Sequence, residues 1–375
     1  MRIDFVTLRP LRVPLKTPFE SSLRRTTHRE TTLVTVGSGE AVGYAEDVAG
    51  FGPFYSEETP GSVKSMLEEY LIPMLLGREI SHPNEVADIF AGIRRNTMAI
   101  SSLECAVWDL WCRQKGISLS AALGGTRKEI AVGVSIGLEA SIERILERVA
   151  GFVKEGYRRI KVKIKPGFDI ELLREIRNTF GSDLPLMVDA NSAYTLKDIS
   201  LLKKLDQFGL MMIEQPLGHD DIVDHAVLQK EMATPICLDE SIHSVEDARK
   251  AISLGSCRII NIKIGRVGGL RRAKELHDLC QDHNIPVWCG GMLELGVGRA
   301  QNLALASLPN FSIAGDTSAW HRSFAEDIVT PAIDFSRPGF LAVRTTPGIG
   351  CDLLSEAVEK FTSGETQAFF AKDLL

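Results

Sequence analysis

Short apolar runs rich in β-branched residues recur along the middle of the chain at a nearly constant interval. Their starts differ by 24 to 28 residues, and amphipathic segments with apolar positions at helical spacing fill most of the gaps. The pattern predicts an α/β fold in which eight strands alternate with helices to form a (β/α) barrel. The predicted strands are Val132–Gly137, Arg159–Ile164, Leu184–Asp189, Leu210–Glu214, Thr234–Asp239, Arg258–Ile264, Pro286–Cys289 and Phe311–Ala314. The predicted helices are Ile142–Lys154, Glu171–Phe180, Leu196–Phe208, Val245–Leu254 and Leu270–His283.

A doubly wound open sheet is the alternative architecture for such an alternation. It requires a glycine-rich phosphate-binding turn after its first strand, and none follows Val132–Gly137. The spacing therefore favours the barrel.

The first 125 or so residues follow a different pattern, in which apolar and polar positions alternate as in antiparallel strands. Strand-like segments are Met1–Pro14 and Thr31–Val36, and helical ones are Val63–Leu76 and Ser102–Lys115. This part predicts an α+β domain before the barrel. The tail from about Trp320 has strand-like pieces and a final helix, Leu353–Thr362, so it need not belong to the barrel.

Composition and charge narrow the possible partners. The chain is 44% hydrophobic and 25% charged, with a formal net charge of −6 and a pI of about 5.8. These values argue against nucleic acid or an anionic membrane as a main partner, because both require a basic surface. Neither a membrane span nor a signal peptide is recognisable. The seven cysteines, without a C-x-x-C pattern, are typical of reduced thiols, so we expect a cytoplasmic protein.

Three acidic residues end three successive predicted strands. They are Asp189, Glu214 and Asp239, and both intervals are 25 residues. In a barrel the carboxyl ends of parallel strands meet at the face where barrel enzymes carry their active sites. Three hard oxygen ligands at that face suit Mg²⁺, or Mn²⁺ in its place. The pattern predicts a metal-dependent enzyme.

Two other predicted strands place lysines on the barrel interior. Lys161, Lys163 and Lys165 share one face of the second strand, and Asn261 and Lys263 share the inner face of the sixth. An edge strand with a solvated lysine face is the alternative for one such run. Inside a barrel, however, buried ammonium groups need carboxylates or a metal site for compensation. Lys163 and Lys263 could then face each other across the barrel mouth.

This arrangement predicts a reaction. A metal stabilises the enediolate formed when a proton leaves the carbon α to a carboxylate, and a lysine with a lowered pKa removes that proton. The opposite lysine can return a proton to the other face, which is racemisation, or stabilise charge while a β-leaving group departs. Arg266 could depress the pKa of Lys263 if it approaches, although a surface arginine leading the next helix is an equal alternative. Since no histidines close the predicted strands, a two-metal hydrolase is disfavoured.

At these residues the chain resembles the enolase superfamily, in particular its muconate-lactonizing-enzyme subgroup. The similarity extends over nearly the whole length and is strongest to the branch of o-succinylbenzoate synthases and N-succinylamino acid racemases. The matching K-x-K, D-x-N, E-Q-P and D-E-S motifs lie at Lys161–Lys163, Asp189–Asn191, Glu214–Pro216 and Asp239–Ser241, with the second lysine at Lys263. Cys289–Glu294 and Gly315–Ser318 are more specific to the branch.

The resemblance implies a (β/α)₇β barrel closed by a capping domain. The expected boundaries are 1–125 for the N-terminal part of the cap, 126–320 for the barrel and 321–375 for the C-terminal segment that completes the cap. It also implies Mg²⁺ held by the three acids, Lys163 as a base, Lys161 as an accessory residue and a homo-oligomer, either dimer or octamer. Implied substrate contacts are Phe19 and its loop, the Phe51–Tyr55 loop, Ser135, Asn191, Gly291, Met292 and Ser318, with Arg266 as a further candidate.

The leading hypothesis is therefore racemisation of N-acylated amino acids, preferably N-succinyl ones, together with or instead of the dehydration that forms o-succinylbenzoate for menaquinone synthesis. A dipeptide epimerase or a lactonizing enzyme is the alternative on the same fold. The epimerase is disfavoured because only Asp316 stands where an Asp-x-Asp pair is expected. A non-catalytic binding barrel is the distant alternative. Two segments, Leu23–His28 and Trp320-His321, differ from the family pattern and border the expected distal end of the substrate.

Overall fold

The computed structural model describes residues 1–20, 25–50 and 52–374. Parts of both predicted substrate loops, at Leu23–Arg24 and at Phe51, therefore lie outside the described residues. Within the described ranges no helix is both long and apolar enough to cross a bilayer. The seven cysteines are buried thiols.

The N-terminal region forms an antiparallel sheet, which the end of the chain completes. Strands β1 (Phe5–Glu20), β2 (Arg25–Ser38) and β3 (Ala41–Glu46) follow one another. The last strand, β16 (Gln367–Phe370), pairs with the outer edge of β1, so that the sheet order is β16-β1-β2-β3. We call these four strands the N-terminal sheet. The two N-terminal strands predicted from alternation are confirmed, and β1 and β2 extend further than predicted.

Helical segments follow the third strand, and the longest of them packs against β2 and β3. They are α1 (Pro60–Met66), a π-helical segment (Leu67–Leu71), α2 (Ile72–Leu75), α3 (Glu85–Ile89), α4 (Thr97–Lys115) and α5 (Leu119–Leu123). Helix α4 is buried along most of its length. It approaches β3 at Gly43, where a Cβ atom would lie 2.2 Å from the backbone nitrogen of Leu110. Only glycine permits this distance between sheet and helix.

A curved parallel sheet of seven strands forms the centre of the molecule. Its strands run in sequence order from β5 to β11, each paired in parallel with the next. The strands are β5 (Val134–Ile136), β6 (Ile160–Lys163), β7 (Leu186–Asp189), β8 (Ile213–Glu214), β9 (Ile236–Leu238), β10 (Ile259–Ile262) and β11 (Val287–Cys289). The short strand β4 (Glu129–Ala131) precedes them and pairs elsewhere.

Helices alternate with these strands, as the periodicity predicts. They are α6 (Ile142–Glu155), α7 (Ile170–Phe180), α8 (Ile199–Leu202), α9 (Val223–Glu231), α10 (Val245–Leu254), α11 (Ile264–Val267), α12 (Leu270–Asp282) and α13 (Gly296–Leu305). Two 3₁₀ segments, Leu196–Asp198 and Lys203–Phe208, flank α8. Ser141 and Ser244 cap α6 and α10 by accepting hydrogen bonds from the backbone N–H three residues on. The five helices predicted for this region are all present, although the third consists of 3₁₀ and α-helical pieces.

The predicted eighth strand, Phe311–Ala314, is wrong as a strand. The backbone N–H of Ser312 donates to the carbonyl of Asn310 at 2.7 Å, and this turn interrupts the extended run. The barrel instead closes one step later. The N–H of Asp316 donates to Cys289 of β11 at 2.9 Å, and the carbonyl of Gly315 accepts from Gly133 at 2.7 Å.

The C-terminal segment contacts both the barrel and the N-terminal sheet. It contains a 3₁₀ turn (Trp320–Arg322), β12 (Val329–Thr330), β13 (Phe335–Arg337), β14 (Phe340–Ala342), β15 (Asp352–Leu353), α14 (Ser355–Phe361), β16 and a last 3₁₀ turn (Ala371–Leu374). Strand β14 pairs with β4, and β12 pairs with β15. The tail therefore lies outside the ring of parallel strands, while the exact domain boundaries stay predictions.

Candidate active site

The three predicted metal-binding acids lie at one end of neighbouring barrel strands. Asp189 and Glu214 are the last residues of β7 and β8 and are register partners. Glu214 is in turn the partner of Cys237 of β9, and Asp239 directly follows that strand. All three carboxylates are buried. The equal spacing in sequence thus corresponds to a contiguous row of carboxylates at the carboxyl end of the barrel.

The predicted catalytic lysines extend from the strands on either side of this row. Lys161 and Lys163 belong to β6, and Lys263 directly follows β10. The Lys161 ammonium lies 2.6 Å from a Glu214 oxygen and 3.0 Å from Asp189. Lys163 lies 2.5 Å from Asp189, and Lys263 lies 2.7 Å from Asp239. The strand order therefore separates the two lysine positions by the three acid-bearing strands, as the sequence predicts.

The inward prediction fails for one lysine. Lys165 follows β6 and is exposed, because the strand ends at Lys163 and the chain turns. The isolated bridge between Lys165 and Phe168 marks that turn. Only the first two lysines of the alternating run therefore belong to the site.

The close charges shift the pKa values of the site strongly. Burial alone would raise the pKa of Asp189, but the ammonium groups of Lys161 and Lys163 hold it well below its usual range. Burial would lower the pKa of Lys161, but Asp189, Glu214 and Asp316 raise it above its usual value. The same competition leaves the pKa of Lys263 raised, through Tyr55 and Glu214. A lowered lysine pKa was predicted for a metal-loaded site, so that part stays a prediction.

Arg266 is part of the site and is not a surface residue. It is buried, forms an ion pair with Asp239, and donates through Nε to the carbonyl of Ile242 at 2.7 Å. Its guanidinium also reaches the hydroxyl of Tyr55 at 3.3 Å, and Lys263 donates to the same hydroxyl at 2.8 Å. Arg266 and Lys263 therefore share Asp239 and Tyr55 as neighbours.

The predicted substrate contacts are distributed around this centre. Asn191 accepts from Lys163 at 2.5 Å and donates to Glu240 at 2.9 Å, while Ser135 donates to Asp316 at 3.1 Å. The backbone N–H of Met292 donates to Glu294 at 2.9 Å.

The remaining predicted contacts, Gly291, Ser318 and Phe19, have no described side-chain hydrogen bond to the charged residues of the site. A Cβ atom on Gly291 would lie 3.5 Å from Asp316. Ser318 is buried two residues beyond Asp316. Phe19 lies in β1 opposite Thr26, and its side chain is outside the described part of the chain.

Sequence reasoning did not assign roles to several residues that complete the site. Asp316 accepts from Arg159 and lies 3.5 Å from Lys161. Arg159 is buried, with its guanidinium 4.6 Å from the centre of the Trp288 ring. The alternation that identified Lys161 and Lys163 also includes Arg159, two positions earlier, and could have found it. Asp316 comes from a segment without such periodicity, and Tyr55 was named only within the Phe51–Tyr55 loop that the resemblance implies.

The donor set fits a hard divalent cation in its chemistry. Three buried carboxylates are adjacent, and two further buried oxygens, Glu240 Oε2 and Asn261 Oδ1, have no hydrogen-bond partner among the described residues. Such oxygens suit Mg²⁺. In the described part of the chain, however, no three His, Cys, Asp or Glu side chains converge as a metal cluster. Lysine and arginine cations lie against each of the three carboxylates instead.

Comparison with known proteins identifies the class to which this fold and site belong. The family model "Mandelate racemase / muconate lactonizing enzyme, N-terminal domain" matches residues 3–124, and "Enolase C-terminal domain-like" matches residues 144–357. The chain therefore belongs to the mandelate racemase/muconate lactonizing enzyme family of the enolase superfamily, and it is an enzyme. The predicted resemblance and fold class are confirmed.

Two relatives and one solved structure are similar to this chain over almost its whole length. An o-succinylbenzoate synthase from Geobacillus kaustophilus is 53% identical over 363 residues, covering 96% of each chain. An N-succinylamino acid racemase from Amycolatopsis sp is 44% identical over 365 residues, covering 97% of this chain and 99% of that one. The crystal structure of an enolase superfamily member from Listeria innocua Clip11262 has a TM-score of 0.95 and 44% identity, covering 99% of this chain and all of that one.

Proposed function

We propose that this enzyme removes the proton α to a carboxylate in an Mg²⁺-dependent reaction. Its substrates are then N-succinylamino acids, which it racemises, the precursor that it dehydrates to o-succinylbenzoate, or both. One observation carries the proposal: lysines on β6 and after β10 flank a row of three buried carboxylates. Two relatives named for these two activities, similar over almost their whole length, support the choice of substrates.

Asp189, Glu214 and Asp239 would hold the metal. A bound Mg²⁺ would supply the positive charge that stabilises an enediolate. Because Lys161 and Lys163 now lie against Asp189, their ammonium groups would have to move from that carboxylate. A lysine released in this way loses the negative neighbour that favours its charged form, so its pKa falls. A neutral lysine is the form that can accept a proton from carbon.

The two lysine positions explain how one site could serve both reactions. In racemisation, Lys163 and Lys263 would act on opposite faces of the α-carbon, one removing a proton and the other delivering one. In dehydration, one lysine would remove the α-proton and pass it to the β-hydroxyl, which leaves as water, while the opposite lysine would stabilise charge. Arg266 supports the racemase role, because it shares Asp239 with Lys263 and adds a positive charge beside it. A nearby positive charge favours the neutral form of that lysine.

The charge balance of the cluster leaves room for one carboxylate of the substrate. The acidic members are Asp189, Glu214, Asp239, Glu240 and Asp316, all buried or nearly so. The basic members are Arg159, Lys161, Lys163, Lys263 and Arg266. With every member ionised, these groups cancel. A divalent cation would add two positive charges and a neutral base lysine would remove one, so one carboxylate restores neutrality and a second carboxylate needs a cation outside the cluster.

The proposal is tested by hydrogen exchange at the α-carbon. The enzyme is incubated with a panel of N-succinyl-L-amino acids and Mg²⁺ in D₂O, and deuterium incorporation is followed by NMR and chiral chromatography. We expect α-deuteration together with the D enantiomer. A parallel assay follows o-succinylbenzoate formation from its precursor. Absence of both exchange and dehydration across the panel would refute the proposal.

A further inference from the structure

A cavity of about 660 Å³ opens beside the first barrel strand, between α6 and the C-terminal segment. Its volume is in the range of small-molecule sites. Ser135 of β5 lines the cavity and also donates to Asp316, which lies 3.5 Å from Lys161. Ser135 and Lys161 are register partners on adjacent strands. The cavity and the site therefore share Ser135, which lies beside Lys161 on the adjacent strand.

Arg322 is a cation on the wall of this cavity. Its guanidinium donates to the backbone carbonyl of Ser135 and lies 5.8 Å from the centre of the Phe152 ring. Its Nε atom is buried without a hydrogen-bond partner. None of the ion pairs among the described residues includes Arg322, although the charge of Asp316 favours its charged form. The position of Arg322 is thus fixed by its contact with Ser135, while its guanidinium charge is not neutralised by an ion pair among the described residues.

The other charged residues of the cavity differ from Arg322. Arg148 lies 2.7 Å from a Glu139 oxygen, so its charge is already compensated. Lys16 and Glu155 are exposed, where solvent screens their charges. Arg322 is therefore the lining cation best placed to bind an anion that enters from solvent. A guanidinium can bind a carboxylate through two parallel hydrogen bonds.

We propose that Arg322 is a specificity-determining residue that binds a second carboxylate of the substrate, distant from the reacting carbon. The inference deepens the proposed function and rests on it, because it assumes that the first carboxylate lies at the lysines. A succinyl group carries such a second carboxylate, whereas an acetyl group has none. Binding would also remove the cost of a partly buried guanidinium without a negative partner.

The test compares two ligands that differ only in the distal charge. N-Succinylglycine and N-succinamoylglycine, in which a primary amide replaces the distal carboxylate, are titrated by calorimetry into the Mg²⁺-loaded enzyme. We expect wild type to bind the dicarboxylate at least about tenfold more tightly, as a charge-assisted hydrogen bond requires. Arg322→Met should bring the ratio close to one by weakening only the dicarboxylate. Arg144→Met, the same change at an exposed position of α6, is the matched control and should keep the wild-type ratio.

Three outcomes overturn the inference: equal binding of both ligands to wild type, no binding of either, or a wild-type ratio in Arg322→Met. Circular dichroism and thermal melting verify folding. If Arg322→Met does not fold, Arg322→Lys decides, since a lower ratio supports the bidentate contact and an unchanged ratio refutes it. Deuterium exchange separates this test from that of the proposed function. Charge-dependent binding without exchange would refute the reaction alone, and exchange with charge-independent binding would refute the role of Arg322 alone.

Discussion

At the scale of single residues, the site consists of buried charged side chains, each of which is stabilised by oppositely charged neighbours. Lys161 and Asp189 would each be costly to bury alone, because moving an ion from water to the interior costs several kcal/mol. Their 3.0 Å contact, and the contacts with Glu214 and Lys163, compensate for that cost. A metal ion that binds this site must therefore compete with the lysine ammonium groups for the carboxylates.

The two lysines allow a prediction that separates racemisation from a merely structural role. Lys163→Ala and Lys263→Ala should each lower racemisation by at least about 10²–10⁴-fold, the usual contribution of a general acid or base. Each variant should still exchange the α-proton of one enantiomer of the substrate. One variant should exchange the L enantiomer and the other the D enantiomer. Chiral chromatography with NMR in D₂O measures both. Lys165→Ala, at the exposed position beyond the strand, is the control, and equal losses for both enantiomers in both variants would contradict two-base chemistry.

Residues of the site can be predicted from the sequence where they lie on periodic strands, but not where they lie on loops. The 25-residue spacing found the acids because strand ends repeat with the βα unit, and the period of two found Lys161 and Lys163. Tyr55 contacts Asp239 at 3.1 Å, but 184 residues separate them and no regular element carries Tyr55. Such a contact depends on how a loop of the N-terminal region lies over the barrel, which no local pattern encodes. Only the resemblance indicated the loop of Tyr55, and no feature of the sequence indicated Arg322.

At the scale of elements, the barrel closes through backbone atoms of a segment that is not a strand. A Cβ atom on Gly315 would lie 2.6 Å from the carbonyl oxygen of Cys289, which is fixed in β11. Alternation cannot reveal this, because Phe311–Ala314 is apolar enough for a strand and the interrupting turn is formed by Asn310 and Ser312. Closure depends on close approach of two backbones, for which glycine is the only suitable residue.

Gly315→Ala should therefore destabilise the protein. Because a backbone oxygen cannot move aside as a side chain can, we expect the free energy of unfolding to fall by roughly 1–3 kcal/mol, the usual cost of overpacking. Urea unfolding followed by fluorescence measures it. Gly92→Ala is the control, since a Cβ atom there meets nothing within 4 Å, and it should be neutral. Equal stability of Gly315→Ala and wild type would show that the closure is looser than described.

A buried glutamate of α4 joins the N-terminal region to a barrel helix. Glu104 accepts from the backbone N–H groups of Leu270 and Arg271, at the start of α12, at 2.8 and 2.9 Å. Gly269 permits this approach, because a Cβ atom there would lie 2.5 Å from Glu104 Oε2. Burial raises the pKa of Glu104 to about 7, although both N–H donors oppose the shift. The carboxylate thus caps a helix of the other region.

The raised pKa predicts how stability depends on pH. A carboxyl group with a folded-state pKa above its unfolded value contributes stability at low pH that is lost as pH rises through about 7. Glu104→Gln removes this titration, so the free energy of unfolding of wild type relative to the variant should fall by up to about 3 kcal/mol from pH 5 to pH 8. Urea unfolding at four pH values measures the difference. Glu147→Gln, at an exposed position of α6, should show no such trend, and a pH-independent difference for Glu104→Gln would contradict the shift.

At the scale of the whole molecule, the two ends of the chain meet in one sheet. Strand β16 pairs with β1 from Phe5–Phe370 to Leu8–Gln367, and β3, at the other edge, leads towards Tyr55. The alternating and helical patterns of the sequence predicted the elements of the N-terminal region and of the C-terminal tail separately. The pairing itself joins residues more than 350 positions apart, and only the resemblance to known proteins indicated that the tail completes the cap.

Removal of the tail tests whether this sheet supports the site. Deleting residues 363–375 exposes the outer edge of β1 and removes the packing of Phe369 and Ala371 against the core, so the free energy of unfolding should fall by roughly 2–3 kcal/mol. Because Tyr55 follows the same sheet and contacts Asp239 and Lys263, loosening it should raise KM for the substrate more than it lowers kcat. Urea unfolding and steady-state kinetics measure both effects, with deletion of 373–375 as the control. Unchanged stability with lost activity would instead place the tail itself at the site, whereas a fall in stability with unchanged KM would show that the sheet does not position Tyr55.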